Sequence, residues 1–230
     1  MTISSTSWST LLLSCLWSTL FFGQRNFTSY WQPQVAINYP VSQNYSHNFA
    51  LIHRMFLVDE GVTKFRGRQL DLAHFSNLDL RENQSLALGI QYRFRDVFEN
   101  NENELRFTQQ YNVTHKPLVV RLGHRFRAEQ RIIGPSTIHR FRYRFATDFP
   151  LQGEKLDLGE PFLACSLEKL LSAAKSEQPE YDVRLNAQIG WRLDKGLNLQ
   201  MGIEYRLEDY GAQNPDNVLF FLTSAQWSLK

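Results

Sequence analysis

From residue 139 to 145 the chain reads His-Arg-Phe-Arg-Tyr-Arg-Phe, so Arg140, Arg142 and Arg144 alternate without a break with Phe141, Tyr143 and Phe145. In a strand, successive side chains point to opposite faces. One face of this segment must meet a polar environment and the other an oily one. A soluble sheet with one solvated face satisfies that demand. So does a membrane barrel, turned inside out.

The same alternation recurs. Over 197–208, Leu197, Leu199, Met201, Ile203, Tyr205 and Leu207 oppose a polar set that includes Glu204 and Arg206. Over 181–193, Tyr181, Val183, Leu185, Ala187, Ile189 and Trp191 oppose Asp182, Arg184, Asn186, Gln188 and Arg192. Leu105, Phe107 and Tyr111 oppose Glu104, Arg106, Thr108 and Gln110. Arg121, Arg125, Arg127, Glu129 and Arg131 share the face opposite Leu122 and Phe126. A soluble barrel would show its polar face to water and carry much Lys there. Here the charged face is rich in Arg mixed with Glu, Gln, Asn and Gly. Arg offers a rigid fork that pairs with carboxylates in crowded, partly desolvated space. That composition fits a narrow lumen lined by an Arg–Glu ladder, with the apolar face turned to lipid. In lipid only a closed barrel satisfies the backbone of such strands.

Period-two patterning predicts strands at 28–39, 46–58, 67–79, 84–96, 103–115, 118–131, 137–149, 158–172, 181–193, 197–208 and 217–229. Most are about twice the length of an ordinary soluble strand, and a tilted membrane-spanning strand needs about 9–11 residues plus its rims. Tight turns at 80–83, 114–117 and 194–196 alternate with longer polar stretches at 99–103, 130–136, 173–180 and 208–216. Single-chain bacterial barrels have even strand numbers, so eleven segments point to ten or twelve strands. The fold expected is one all-β antiparallel transmembrane barrel of 10–12 strands. Tyr30, Trp31, Tyr39, Tyr92, Trp191, Tyr205, Tyr210 and Trp227 fall near strand ends, either as interfacial girdles or as aromatics common to any strand.

Residues 8–22 form the only long apolar run, too short and too rich in Ser and Thr for a spanning helix. They suit a secretory signal peptide over 1–23, leaving a barrel over 24–230. Of the two cysteines, Cys15 lies in that run, so the mature chain would keep Cys165 alone and form no internal disulfide. A net charge of +2 gives no electrostatic case for nucleic acid. No Gly-rich phosphate loop, metal-ligand spacing or nucleotide motif is present, so no cofactor is expected.

The Tyr30-Trp31 pair near the mature start, Arg-Ala-Glu-Gln-Arg at 127–131 and His-Arg-Phe-Arg-Tyr-Arg at 139–144 resemble a family of uncharacterised outer-membrane β-barrels. That family is a domain of unknown function common in Gram-negative bacteria. The resemblance covers most of residues 24–230. It implies a barrel in the outer membrane, with outer-membrane lipids and the barrel-assembly machinery as partners. It supplies no activity, ligand or catalytic residue. The expected role is non-enzymatic, either envelope structure or a narrow pore.

Two alternatives remain. His74-Phe75-Ser76-Asn77 resembles the His-x-Ser-Asn of outer-membrane phospholipase A and lipid A deacylases. His74 and Ser76 share the outward face with Leu70, Leu72 and Leu78, so a lipid hydrolase would use Ser76 as nucleophile and His74 as base. Such an enzyme also needs an orienting acid or amide. The other alternative is a soluble β-barrel that binds a hydrophobic ligand.

Overall fold

The computed structural model describes residues 27–59, 61–96, 102–175 and 177–229. The apolar run expected to be a signal peptide lies outside the described residues. Eleven strands follow in chain order: β1 (Phe27–Ser42), β2 (Tyr45–Asp59), β3 (Val62–Arg81), β4 (Gln84–Arg95), β5 (Glu104–His115), β6 (Arg121–Ile133), β7 (Ser136–Pro150), β8 (Pro161–Ala174), β9 (Glu180–Arg192), β10 (Leu197–Glu208) and β11 (Asp216–Ser228). Among the described residues there is no helix.

Each strand pairs antiparallel with its neighbours in sequence, and the sheet closes into a single barrel. Closure is made by β1 and β11, which run parallel in register from Phe27↔Asn217 to Asn38↔Ser228. The expectation of an even, wholly antiparallel barrel is therefore corrected. An odd number of strands brings the first and last strands together pointing the same way, and a parallel ladder satisfies their backbone groups. Phe27 and Ser228 consequently sit at opposite mouths. The connections after β2, β4, β6, β8 and β10 gather at the mouth where β1 begins, here the N-mouth. Those after β1, β3, β5, β7 and β9 gather at the C-mouth, where β11 ends.

Loop lengths depart from the expected alternation. The stretch at 130–136 is not a long loop: β6 continues to Ile133, and two residues, Gly134 and Pro135, lead into β7. Gly134 has φ +53°, a left-handed backbone that glycine adopts at no steric cost. The longest C-mouth connection is 151–160, between β7 and β8. It is tied to the end of β9 by Gly159 N–H donating to the Arg192 carbonyl (2.7 Å) and by Arg192 Nη1 donating to the Leu156 carbonyl (3.1 Å).

The two faces are sorted as the alternation requires. Leu88, Phe126, Phe141, Leu185 and Met201 are exposed on the outer surface, while Glu104, Glu129 and Glu168 are buried within. In the 139–145 stretch, Phe141 and Tyr143 are exposed outward and the three arginines point in. Tyr30 does not join an outer girdle. It turns inward, 4.8 Å from the Phe56 ring and 5.1 Å from Phe220, where a register shift at Ser29/Tyr30 breaks the pairing with β2.

Two inner-face glycines differ in the room around them. A Cβ on Gly202 would lie 2.1 Å from the Ala187 carbonyl oxygen, which is backbone and cannot give way. A Cβ on Gly123 would meet nothing closer than 4.0 Å. Gly202→Ala should therefore destabilise the barrel by about 1–3 kcal/mol, the usual cost of overpacking. Gly123→Ala should be near neutral. Denaturant unfolding of both variants checks the contrast.

Candidate functional site: the charged lumen

The barrel encloses a cavity of about 850 Å³ that is zoned along its length. Carboxylates crowd the N-mouth: Glu180, Asp182, Glu208, Asp209 and Asp216. Amides line the C-mouth side: Asn38, Asn48, Asn77, Gln188, Gln200 and Gln226. Between them lies a belt of arginines.

A repeated unit builds the belt. Arg106 and Arg131 stand directly opposite on β5 and β6, as do Arg127 and Arg142, and Arg125 and Arg144, on β6 and β7. Like charges in directly opposed positions repel. Each pair brackets one buried glutamate. Glu104 lies 2.5 Å from Arg106 and 2.7 Å from Arg131. Glu129 lies 3.4 Å from Arg127 and 2.9 Å from Arg142. Glu168 lies 3.3 Å from both Arg125 and Arg144. Arg142 also reaches Glu168 at 2.6 Å, and Arg106 reaches Glu129 at 3.7 Å, so the units join. Arg93 extends the network to β3 through two 2.8 Å hydrogen bonds to Asp71, which also accepts from Gln91.

The expected ladder residues thus fall into groups. Glu104, Arg106, Arg125, Arg127, Glu129, Arg131, Arg142 and Arg144 form the connected network. Arg140 donates to the Ser172 hydroxyl (2.8 Å). Glu204 pairs with Arg206 at 2.6 Å, and Asp182 with Arg184 at 3.5 Å. Arg121 does not join: it pairs with Asp148 at 2.8 Å, with an exposed side chain near the C-mouth. Four participants were not among the expected ladder: Asp71, Arg93, Arg95 and Glu168. Glu168 faces inward by the phase of its strand, but β8 carries Phe162 and Leu170 on the same inward face, so nothing along the strand tied it to the ladder. Arg54 is a further inward cation. Its guanidinium lies 4.6 Å from the Phe220 ring centre while that of Arg206 lies 3.8 Å away, so an entirely buried aromatic serves two cations.

On this wall the arginines outnumber the carboxylates. Eight guanidiniums (Arg93, Arg95, Arg106, Arg125, Arg127, Arg131, Arg142, Arg144) meet four carboxylates (Asp71, Glu104, Glu129, Glu168), a surplus of four.

His74 and Ser76 lie together on the outer surface, but not as a catalytic pair. His74 Nε2 and Ser76 Oγ both approach one atom, Nδ1 of His47 on β2, at 3.0 and 3.4 Å. A Ser–His–acid relay needs the base to face the nucleophile with one ring nitrogen and the orienting group with the other. Here a single nitrogen serves both. Among the described residues no carboxylate or amide side chain bonds to His74; Phe49 stacks on its ring at 4.7 Å. Nor does any group of His, Cys, Asp and Glu among the described residues have the arrangement to hold a metal ion.

A family model described as a protein of unknown function, DUF2490, matches residues 28–217. The chain belongs to this family. The match runs from the first strand to the start of the last, so it covers ten of the eleven strands and the first residues of β11. No curated protein and no solved structure matches the chain.

The network sets a stability expectation. Glu104→Ala would leave Arg131 opposed to Arg106 without its counter-charge, and Arg106 with Glu129 alone at 3.7 Å. Breaking a buried pair from one side costs about 3–5 kcal/mol. Arg121→Ala, at an exposed pair, should cost about 0–1 kcal/mol. Thermal or denaturant unfolding of the two variants separates them.

Proposed function

We propose that this DUF2490 protein is a non-enzymatic barrel of the Gram-negative outer membrane, exported by a signal peptide over residues 1–23, whose lumen is constricted by the Arg–Glu network. The observation that carries this reading is the inverted polarity of the barrel. Leucine, phenylalanine and methionine cover its outside, and fully buried glutamates lie within. In water, such an outer surface would far exceed the few hundred Å² of contiguous apolar patch that a soluble monomer tolerates. Against hydrocarbon it is the favoured arrangement.

Polar groups on the outer face largely bond one another, as that environment demands. Gln109 and Gln130 exchange two hydrogen bonds (3.0 and 3.1 Å), and His124 Nδ1 meets the Tyr143 hydroxyl at 2.8 Å. Lys169 projects outward beside Tyr143, and its long stem can carry the amine toward the headgroups. The charged interior offers no housing for a hydrophobic ligand. Nor does the His47–His74–Ser76 arrangement supply a hydrolase.

With the belt crossing its middle, the barrel serves envelope structure or the passage of small solutes, not general diffusion. Reconstituted into planar bilayers, it should give no large, stable conductance steps; porin-sized steps would contradict the constricted lumen. A variant tests the outer phase independently. Tyr143→Arg should cost roughly 2–4 kcal/mol in a bilayer if residue 143 lies near the midplane, while Phe141→Leu should be mild. On a water-exposed surface Tyr143→Arg would fall within about ±0.5 kcal/mol, so folding titrations into lipid vesicles decide between the phases.

A further inference from the structure

One cross-strand row of the lumen differs from the rest of the belt. Arg125 pairs with Arg144, Arg144 with Glu168, Glu168 with Arg184, and Arg184 with Arg206, so five adjacent strands contribute four guanidiniums and one carboxylate. At Glu104 the donors are consumed: Arg106 and Arg131 each direct Nε and Nη2 to that carboxylate. In the row only Arg206 is so committed, with Nε and Nη2 on Glu204, and elsewhere in the belt only Arg142 Nε lacks a protein partner. Nε of Arg125, of Arg144 and of Arg184 is buried without a hydrogen-bond partner. Arg144 Nε lies 3.3 Å from Glu168 yet makes no hydrogen bond to it. Arg184 is more than nine-tenths buried, and its contact with Asp182, at 3.5 Å, is at the limit of a hydrogen bond.

All four arginines line the 850 Å³ cavity. Charged donors that no protein group satisfies are left to be met by whatever fills the cavity, and like charges directly opposed repel. A bound anion, added to Glu168, Glu204 and Asp182, would relieve both. We propose that the lumen binds a small polar solute through its oxyanion group, a carboxylate or a phosphate, held by Arg125, Arg144 and Arg184 and backed by Arg206. The planar fork of Arg suits both oxyanions. Asn186, Gln188 and Gln200 line the same cavity and offer neutral hydrogen bonds to the rest of the solute. Its volume is that of a small-molecule site. The inference rests on the solute-passage reading for its biological sense.

The full chain, purified in detergent, is titrated with inorganic phosphate and with citrate at constant ionic strength made up with chloride. A saturable rise in unfolding temperature of a few degrees over chloride is expected from one or both. Phosphate alone or citrate alone assigns the source of the oxyanion. Arg184→Gln should weaken the response at least tenfold. In the absence of either anion it should unfold at the same or a higher temperature than the wild type, because it relieves the opposition with Arg206. A residue of purely structural use would show the reverse, a loss of stability with no change in anion response. Arg121→Gln, outside the row, should respond like the wild type. No saturable response in the wild type overturns the proposal, whatever the variants do; so does an undiminished response in a folded Arg184→Gln. Vesicle flotation of the same preparation is scored separately. Anion binding without flotation would remove the membrane reading and leave the site. Flotation without binding would do the opposite.

Discussion

Two arginines facing each other across a strand pair, with one glutamate between them, are the unit on which this lumen depends. Opposed like charges are unfavourable in any sheet. In a narrow interior they are tolerable only when a carboxylate sits within reach of both. The three units at Glu104, Glu129 and Glu168 share arginines and fuse into one network across β3 to β8. The glutamates are held from several strands at once, so the charges fix the relative register of those strands as well as filling the space. A register slip of one residue would put arginines on the apolar outer face.

Across the barrel the interior is built differently. β11 presents Val218, Phe220 and Leu222 inward, and the arginines of β2 and β10 stack on Phe220 rather than pairing across it. This apolar wall adjoins the parallel seam with β1. Charge–charge contacts on one side and cation–aromatic contacts on the other let a single cavity be lined throughout without an extended acidic wall.

Much of this was legible in the sequence. Where a strand alternates strictly, as at 139–145 and 197–208, both its existence and its inward face follow from period two alone. The eleven segments read along the chain are the eleven strands observed. The parity rule misled because it presumes an antiparallel closure, and nothing local in β1 or β11 announces a parallel one. Inner-face roles escaped notice where alternation fails: β8 and β11 are apolar on parts of both faces, so Phe220 carried no signal, and Glu168, inward by phase, showed no tie to the ladder. Partnerships were also invisible. That Arg121 would find Asp148 at the rim, or that His47 would come between His74 and Ser76, depends on cross-strand register, which the spacing of one strand does not contain.

On the proposed membrane reading, the arginines of 139–145 face a closed lumen and the aromatics face hydrocarbon. Replacing Cys15 and Cys165 by Ser gives a background in which single cysteines can be placed at each position from 139 to 145 and spin-labelled after reconstitution into vesicles. Accessibility to oxygen, which partitions into lipid, should be high at 141, 143 and 145 and low at 140, 142 and 144. The opposite phase, or accessibility to a water-soluble nickel reagent at 141 and 143 with no oxygen enrichment, would mean that the apolar face meets water or protein and that the barrel does not span a membrane.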